Sequence, residues 1–324
     1  MFYWFFRNTN TSAPLIVWIN GGPGSTSMFG LFIENGPMRV ISNGTTMDDF
    51  QIIAAERAWT DNYNVLYLDQ PANVGFSWGT SFVNSEQGAS NEFTRFLIGF
   101  FVMYPELAPL PLYLTGESYA GKYLPLYTHD IIESNKVLKD KINIRGTLIG
   151  DPYSSPVLQR TQIHRVPEAL GILDDMNLDQ IALLEQKCLE QQAINLTKTA
   201  DVCGAIMDYV ETISDNVLAY NSRIFDYDFN PTEQVVVDIF TKSTQVDAIY
   251  AALHVENSTK SPKFMFGNEG VYDHLVTKTM LDYSSYFNYL IHINYPLLIM
   301  AGEFDMQDGA SGQSVWMKET LTEL

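Results

Sequence analysis

Two apolar patterns alternate along the first 150 positions. Leu15–Ile19 is an unbroken apolar run that stops at Asn20-Gly21-Gly22-Pro23-Gly24, as a strand does when it enters a sharp turn. Residues 65–68 are a second such run, ending at Asp69-Gln70-Pro71. Phe93, Phe96, Leu97, Phe100 and Phe101 then recur at helical spacing until Tyr104-Pro105 halts the stripe. Leu112-Tyr113-Leu114 and residues 144–149 read as further strands, and residues 1–6 as another. Strands that are apolar throughout are buried on both faces, which places them in a parallel sheet covered by helices. Residues 153–282 break this rhythm. Leu178, Ile181, Leu184 and Cys188 mark one amphipathic helix, with Asp174 or Asp175 as its N-cap. Ile206, Tyr209, Val210, Ile213 and Val217 mark another. A strand returns at 296–300 and runs into Ala301-Gly302-Glu303-Phe304-Asp305. The pattern predicts one α/β domain over residues 1–324 with a mainly helical cap inserted at 153–282.

Composition narrows the setting. The chain carries 19 basic against 38 acidic residues, a formal net charge of −19. That balance excludes nucleic acid and anionic membranes as natural partners, and suits work at acidic pH. No apolar segment approaches the roughly 20 residues that a membrane helix needs. Residues 1–6 are too short, and run too soon into Arg7, for a signal-peptide core. Cys188 and Cys203, in a helical stretch, are close enough in sequence for a local disulfide. Sequons begin at Asn10, Asn43, Asn195 and Asn257, and together lean toward the secretory pathway.

The sharpest chemical signal is Gly116-Glu117-Ser118-Tyr119-Ala120-Gly121, placed between a strand run and residues able to start a helix. Small residues at 116, 120 and 121 permit a tight strand-to-helix bend with the Ser118 hydroxyl at its tip, the position of a nucleophile. The glycine turn after the first buried strand exposes backbone N–H groups, so Gly22 and Tyr119 are the candidate oxyanion donors. A serine of this kind needs a histidine base oriented by an acid. Asp305 ends a strand beyond the insertion, where the acid of such a hydrolase follows its serine. Glu303 and Asp308 read as solvated loop charges beside it. No pair of histidines has metal-ligand spacing, and no cofactor is implied.

Trp18 to Gly24, Leu68-Asp69-Gln70-Pro71 with Val74-Gly75-Phe76-Ser77, and Gly116 to Gly121 together resemble the signature blocks of the serine carboxypeptidases. Phe2 to Phe6, Tyr104-Pro105-Glu106, Ile149-Gly150-Asp151, Ala252 to Val255 and Asp305 extend the resemblance over nearly the whole chain, and the vitellogenic-like branch is the most similar. The resemblance implies an α/β-hydrolase fold and a serine-type enzyme that releases C-terminal amino acids from peptides at acidic pH, in a secreted, lysosomal or vacuolar setting. It also implies that Asn20, Gly21, Glu34 and Glu117 hold the substrate carboxylate. Two acids facing a carboxylate repel it when ionised, and donate hydrogen bonds when protonated or sharing a proton. Peptide or protein C-termini are the implied partners; a homodimer is left open.

Three departures stand out. Ser25 occupies the family's cysteine position, so its long-range disulfide is absent. The chain begins inside a strand that the family reaches later, and it ends nineteen residues after Asp305. Both ends read as cut. The family's base lies in a Gly-His motif beyond the acid, whereas His129, His164, His254, His274 and His292 all precede Asp305 and lack that context. None is assigned as the base. The alternatives are a relative that binds peptides or partner proteins without turnover, and an acyltransferase or esterase of the same fold.

Overall fold

The apolar runs assemble into one six-stranded sheet among the described residues. This computed structural model describes residues 1–42, 50–225, 231–242, 246–255, 264–275 and 279–322. Its strands are β1 (Tyr3–Phe6), β2 (Leu15–Ile19), β3 (Met38–Ser42), β4 (Phe50–Ala54), β5 (Asn64–Leu68), β6 (Leu112–Glu117), β7 (Ile144–Gly150) and β8 (Leu297–Met300). The large sheet runs in the order β1-β5-β2-β6-β7-β8. Only β1 is antiparallel to its neighbour; the other pairings are parallel. The helices are α1 (Glu86–Met103), α2 (Ala120–Ser134), α3 (Pro156–Arg160), α4 (Arg165–Ala169), α5 (Asp175–Gln192), α6 (Leu196–Ile213), α7 (Pro231–Thr241), α8 (Val246–Ala252), α9 (Glu269–Leu275), α10 (Ser284–His292) and α11 (Ala310–Thr322). With its mostly parallel sheet and crossover helices, the fold is of the α/β-hydrolase kind.

Alternation along the central strands sorts their side chains between two cores. Val17, Leu66 and Leu114 join Phe93 and Phe100 of α1, Tyr123 and Tyr127 of α2, Phe287 of α10 and Trp316 of α11. Trp18, Val65 and Tyr67 face the other way, onto Leu31, Phe32, Phe240 and Phe264. All of β2 and β5 is buried, as their unbroken apolar runs require. β8 departs from that expectation. Leu298 and Met300 are 52% and 47% exposed; among the described residues β8 is an edge strand with β7 as its only neighbour.

Between Tyr153 and Asp282 the described residues hold α3 to α9 and no strand of the large sheet. Here α3, α5 and α6 close a third core around Ile181, Ile206 and Val210. Asp174 caps α5 by accepting from the Asn177 N–H. Cys188 and Cys203 form a disulfide between α5 and α6. Val217 lies past the end of α6, in a single bridge to Phe225, rather than on the predicted helical stripe. The β3–β4 hairpin has no counterpart in the strands read from the sequence; residues 43–49 between its strands lie outside the described residues.

Candidate active site

Parallel strands bring their following loops to one end of the sheet, and ligands bind at that end in open α/β folds. Asn20 follows β2, Ser118 follows β6, Asp151 follows β7 and Asp305 lies in the loop after β8. The topology thus gathers residues far apart in sequence along one edge.

Ser118 sits at φ +55°, a left-handed conformation rare outside glycine. Such a residue costs on the order of 1–3 kcal/mol and persists only where its surroundings over-determine it. Here they do. The Ser118 N–H donates to the Gly150 carbonyl at 3.0 Å, and its own carbonyl accepts from the Gly121 and Tyr153 amides, each at 2.8 Å. Gly21 packs directly against the bend, where a β-carbon would meet the Tyr119 nitrogen at 2.5 Å and the Ser118 β-carbon at 3.0 Å. Gly22 takes φ +110°, which glycine alone adopts readily. Neither the Gly22 nor the Tyr119 amide donates a hydrogen bond within the described residues, so both stay available to an oxyanion.

The candidate carboxylate clamp is built around the Asn20 amide. Its oxygen accepts from the Trp18 indole at 2.8 Å and the Gly30 N–H at 3.1 Å, which turns its nitrogen toward the two acids. That nitrogen donates to Glu34 at 3.1 Å and to Glu117 at 2.9 Å. Burial and the neighbouring Glu117 push Glu34 well above the usual carboxylate range, and burial raises Glu117 as well. Two carboxyls sharing one amide cannot both ionise cheaply, so the pair retains a proton into the acidic range.

Asp69, wholly buried, supports this edge from behind. It accepts from the Thr26 hydroxyl at 2.6 Å and from the Ser27 and Phe76 amides, each at 2.9 Å. Ser27 in turn donates to the Leu68 carbonyl and accepts from the Asn20 N–H. The glycine turn and Asn20 are therefore pinned to the end of β5.

Asp305 is 7% exposed. One oxygen accepts from the Gln307 and Asp308 amides at 2.7 and 3.0 Å, while the other takes no hydrogen bond from the described residues. Burial is the main reason its carboxyl rises to about 6. Asp305 and Asp151 both act electrostatically on Glu117, so the three acids share one electrostatic neighbourhood.

Asp308 corrects an expectation. It is not a solvated loop charge but 2% exposed, with its carboxyl raised to about 7 by burial. The chain folds back under Asp305, bringing Asp308 against Gln159 and into the field of Arg160. Glu303 is exposed, as read. Asp151 was legible only as part of a motif. Its φ of +42° and its bond from the Gly302 N–H tie β7 to the Asp305 loop.

The histidines lie elsewhere. His129 pairs with Asp130 against the rings of Tyr286 and Tyr289, His164 pairs with Glu185, and His274 bonds the Gly270 carbonyl beside Phe82. His254 and His292 are exposed. Among the described residues no hydrogen bond joins a histidine to Ser118 or Asp305. No group of three or more metal-ligating side chains occurs among them, and no helix there is long and apolar enough to cross a membrane. Of the sequon asparagines, Asn10 and Asn195 are exposed, whereas Asn43 and Asn257 lie outside the described residues.

Comparison with known proteins adds independent weight. The family model described as serine carboxypeptidase matches residues 1–323. The chain is 31% identical over 315 residues to the probable serine carboxypeptidase CPVL of Mus musculus, covering 94% of this chain and 63% of that protein. It is 34% identical over 279 residues to the venom serine carboxypeptidase of Apis mellifera, covering 81% and 57%. The chain thus spans about three fifths of the length of the relatives it matches. Among solved structures, Kex1(Δ)p, a prohormone-processing carboxypeptidase from Saccharomyces cerevisiae, superposes with a TM-score of 0.82 at 23% identity, over 96% of this chain and 70% of that one. That likeness bears on the fold.

Proposed function

This chain belongs to the serine carboxypeptidase family, and from that premise we propose that it carries the nucleophile, oxyanion hole and carboxylate clamp of an enzyme releasing C-terminal amino acids from peptides at acidic pH. The observation that carries this reading is the Asn20 amide bridging Glu34 and Glu117 directly beside the strained Ser118. The clamp offers a hydrogen-bond donor and at least one carboxyl proton to a free peptide C-terminus. It offers nothing comparable to a lipid ester, which disfavours an esterase.

In the reaction, the Ser118 oxygen attacks the scissile carbonyl while a base takes its proton. The Gly22 and Tyr119 amides receive the developing oxyanion. The base then protonates the leaving amine, and water reverses the sequence to free Ser118. Asp305, with one oxygen held by backbone amides and the other open, is suited to orient an imidazole. The five histidines here are engaged elsewhere or exposed, so the base is assigned to a histidine beyond Asp305 in the whole protein. A second reading rests on the same observation: without that imidazole, the 324-residue chain binds peptide C-termini without turning them over. The sequons and the disulfide support a secretory, lysosomal, vacuolar or extracellular location.

The test is calorimetric titration near pH 5 with N-blocked dipeptides bearing either a free or an amidated C-terminus. The free acid is expected to bind at least about tenfold more tightly, since the amide cannot replace the carboxylate in a charge-assisted hydrogen bond. Equal affinities would refute the clamp. Turnover by the 324-residue chain alone, abolished in Ser118→Ala, would overturn the assignment of the base.

A further inference from the structure

Beneath the elbow lies a buried charge that the reaction above does not use. Lys122, on the first turn of α2, is wholly buried. Its ammonium donates to the backbone carbonyls of Thr279 and Leu281, just before α10. It also stands 5.2 Å from the ring centres of Tyr119 and Tyr153 and 5.4 Å from that of Tyr283, inside a cage of three aromatic faces. A cation so placed is attracted by all three rings. Glu86, at the start of α1 and 1% exposed, supplies the balancing charge. It accepts from the Tyr119 hydroxyl at 2.5 Å and the Tyr283 hydroxyl at 3.0 Å.

Two of the cage tyrosines are fastened to the nucleophile. Tyr119 follows it in the chain and provides a candidate oxyanion amide. The Tyr153 N–H donates to the Ser118 carbonyl. Burying a lysine costs several kcal/mol before its partners offset it, and an apolar side chain would pack this interior more cheaply. The expense falls where the backbone is strained and where a small rotation of one peptide plane would misaim an oxyanion donor.

We propose that Lys122, with Glu86 and the caging tyrosines, is a positioning device that clamps the Ser118–Tyr119 peptide in its reactive orientation. It ties α1, the start of α2, the turn after β7 and the segment before α10 to one point under the elbow. Its catalytic significance rests on the serine carboxypeptidase reading; its mechanical claim does not.

The whole chain is compared with Lys122→Met and with the milder Tyr119→Phe, which removes one hydroxyl and keeps the amide. Hydrogen exchange is followed at Gly121, Lys122 and Tyr123, whose amides bond the Ser118 and Tyr119 carbonyls. Exchange there should quicken by about tenfold while β2 and β5 keep their protection. In the whole protein, with its histidine base present, the rate of Ser118 labelling by a fluorophosphonate should fall by about tenfold, with unchanged affinity for the free-acid dipeptide. Exchange that is unchanged at the elbow, or raised equally in β2 and β5, overturns the proposal whatever the reactivity. If Ser118 of the unmodified whole protein, with its histidine base present, fails to label while the elbow loosens as described in both variants, the mechanical claim stands and the carboxypeptidase reading loses its nucleophile.

Discussion

Stability should fall as pH rises from about 4 to about 7, and Asp69 is where that fall can be measured cleanly. Its folded carboxyl is raised by burial from the ordinary 3.8 to about 6, opposed by its hydrogen bonds from Thr26, Phe76 and Ser27. Between those two values the folded chain keeps a proton that the unfolded chain has lost. Unfolding is then increasingly favoured as pH rises, and the contribution levels off above about 6. A separation of about two pH units at 1.36 kcal/mol each corresponds to ~3 kcal/mol at most. Asp305 and Asp308 act with the same sign up to about 6 and about 7, but they influence each other and share Arg160, so their effects do not simply add. Lys122 acts oppositely. Burial lowers it from 10.5 to about 7, so its contribution makes stability rise with pH above 7. The minimum should therefore lie near neutrality. Urea unfolding followed by tryptophan fluorescence, from pH 4 to 8 at constant moderate salt, measures the profile. In Asp69→Asn the slope between pH 4 and 6 should drop by up to one proton's worth. The variant should also be less stable at pH 4, because the new amide nitrogen or a lost acceptor leaves a buried N–H unpaired at about 1–3 kcal/mol. A slope unchanged by Asp69→Asn, or a parent whose stability rises from pH 4 to 7, would refute the reasoning.

Affinity for a free-acid dipeptide should weaken above the raised titration of Glu34 and Glu117, by up to about tenfold per pH unit if binding needs one retained proton. Calorimetry from pH 4.5 to 8 reads that slope, and a flat profile counts against proton sharing. In the whole protein, with its histidine base present, Gly21→Ala should cut the rate of Ser118 labelling by at least about a hundredfold, because its β-carbon would stand 2.5 Å from the Tyr119 nitrogen; stopped-flow labelling at parental speed would show that the elbow tolerates the intrusion. Ser118→Gly should raise the stability of the chain by up to about 1 kcal/mol in urea, since glycine accepts φ +55° without strain. A destabilised Ser118→Gly chain would mean that the strain argument is wrong.

Local pattern made most of this molecule legible. The bounds of β2, the helical stripe of α1 and its stop at Tyr104, and the cap of α5 to within one residue, Asp174 or Asp175, are all written in neighbouring residues, because period, turn chemistry and capping act over a few positions. The hairpin of β3 and β4 escaped because strands outside the main sheet carry no long apolar run. The exposed face of β8 escaped because an apolar run does not say whether a strand will have one neighbour or two.

At the site, the sequence alone pointed to the candidate nucleophile at Ser118, the glycine turn and, through the resemblance, the four residues proposed to hold a substrate carboxylate. Tertiary structure decided what connects them. The Asn20 amide is aimed by Trp18 and Gly30, Asp69 reaches back to residues 26 and 27, Asp308 is buried beneath Asp305, and Lys122 lies caged under Ser118. Each depends on distances between segments remote along the chain. Charge and burial at such junctions belong to the assembled fold, so residue type and spacing cannot carry them.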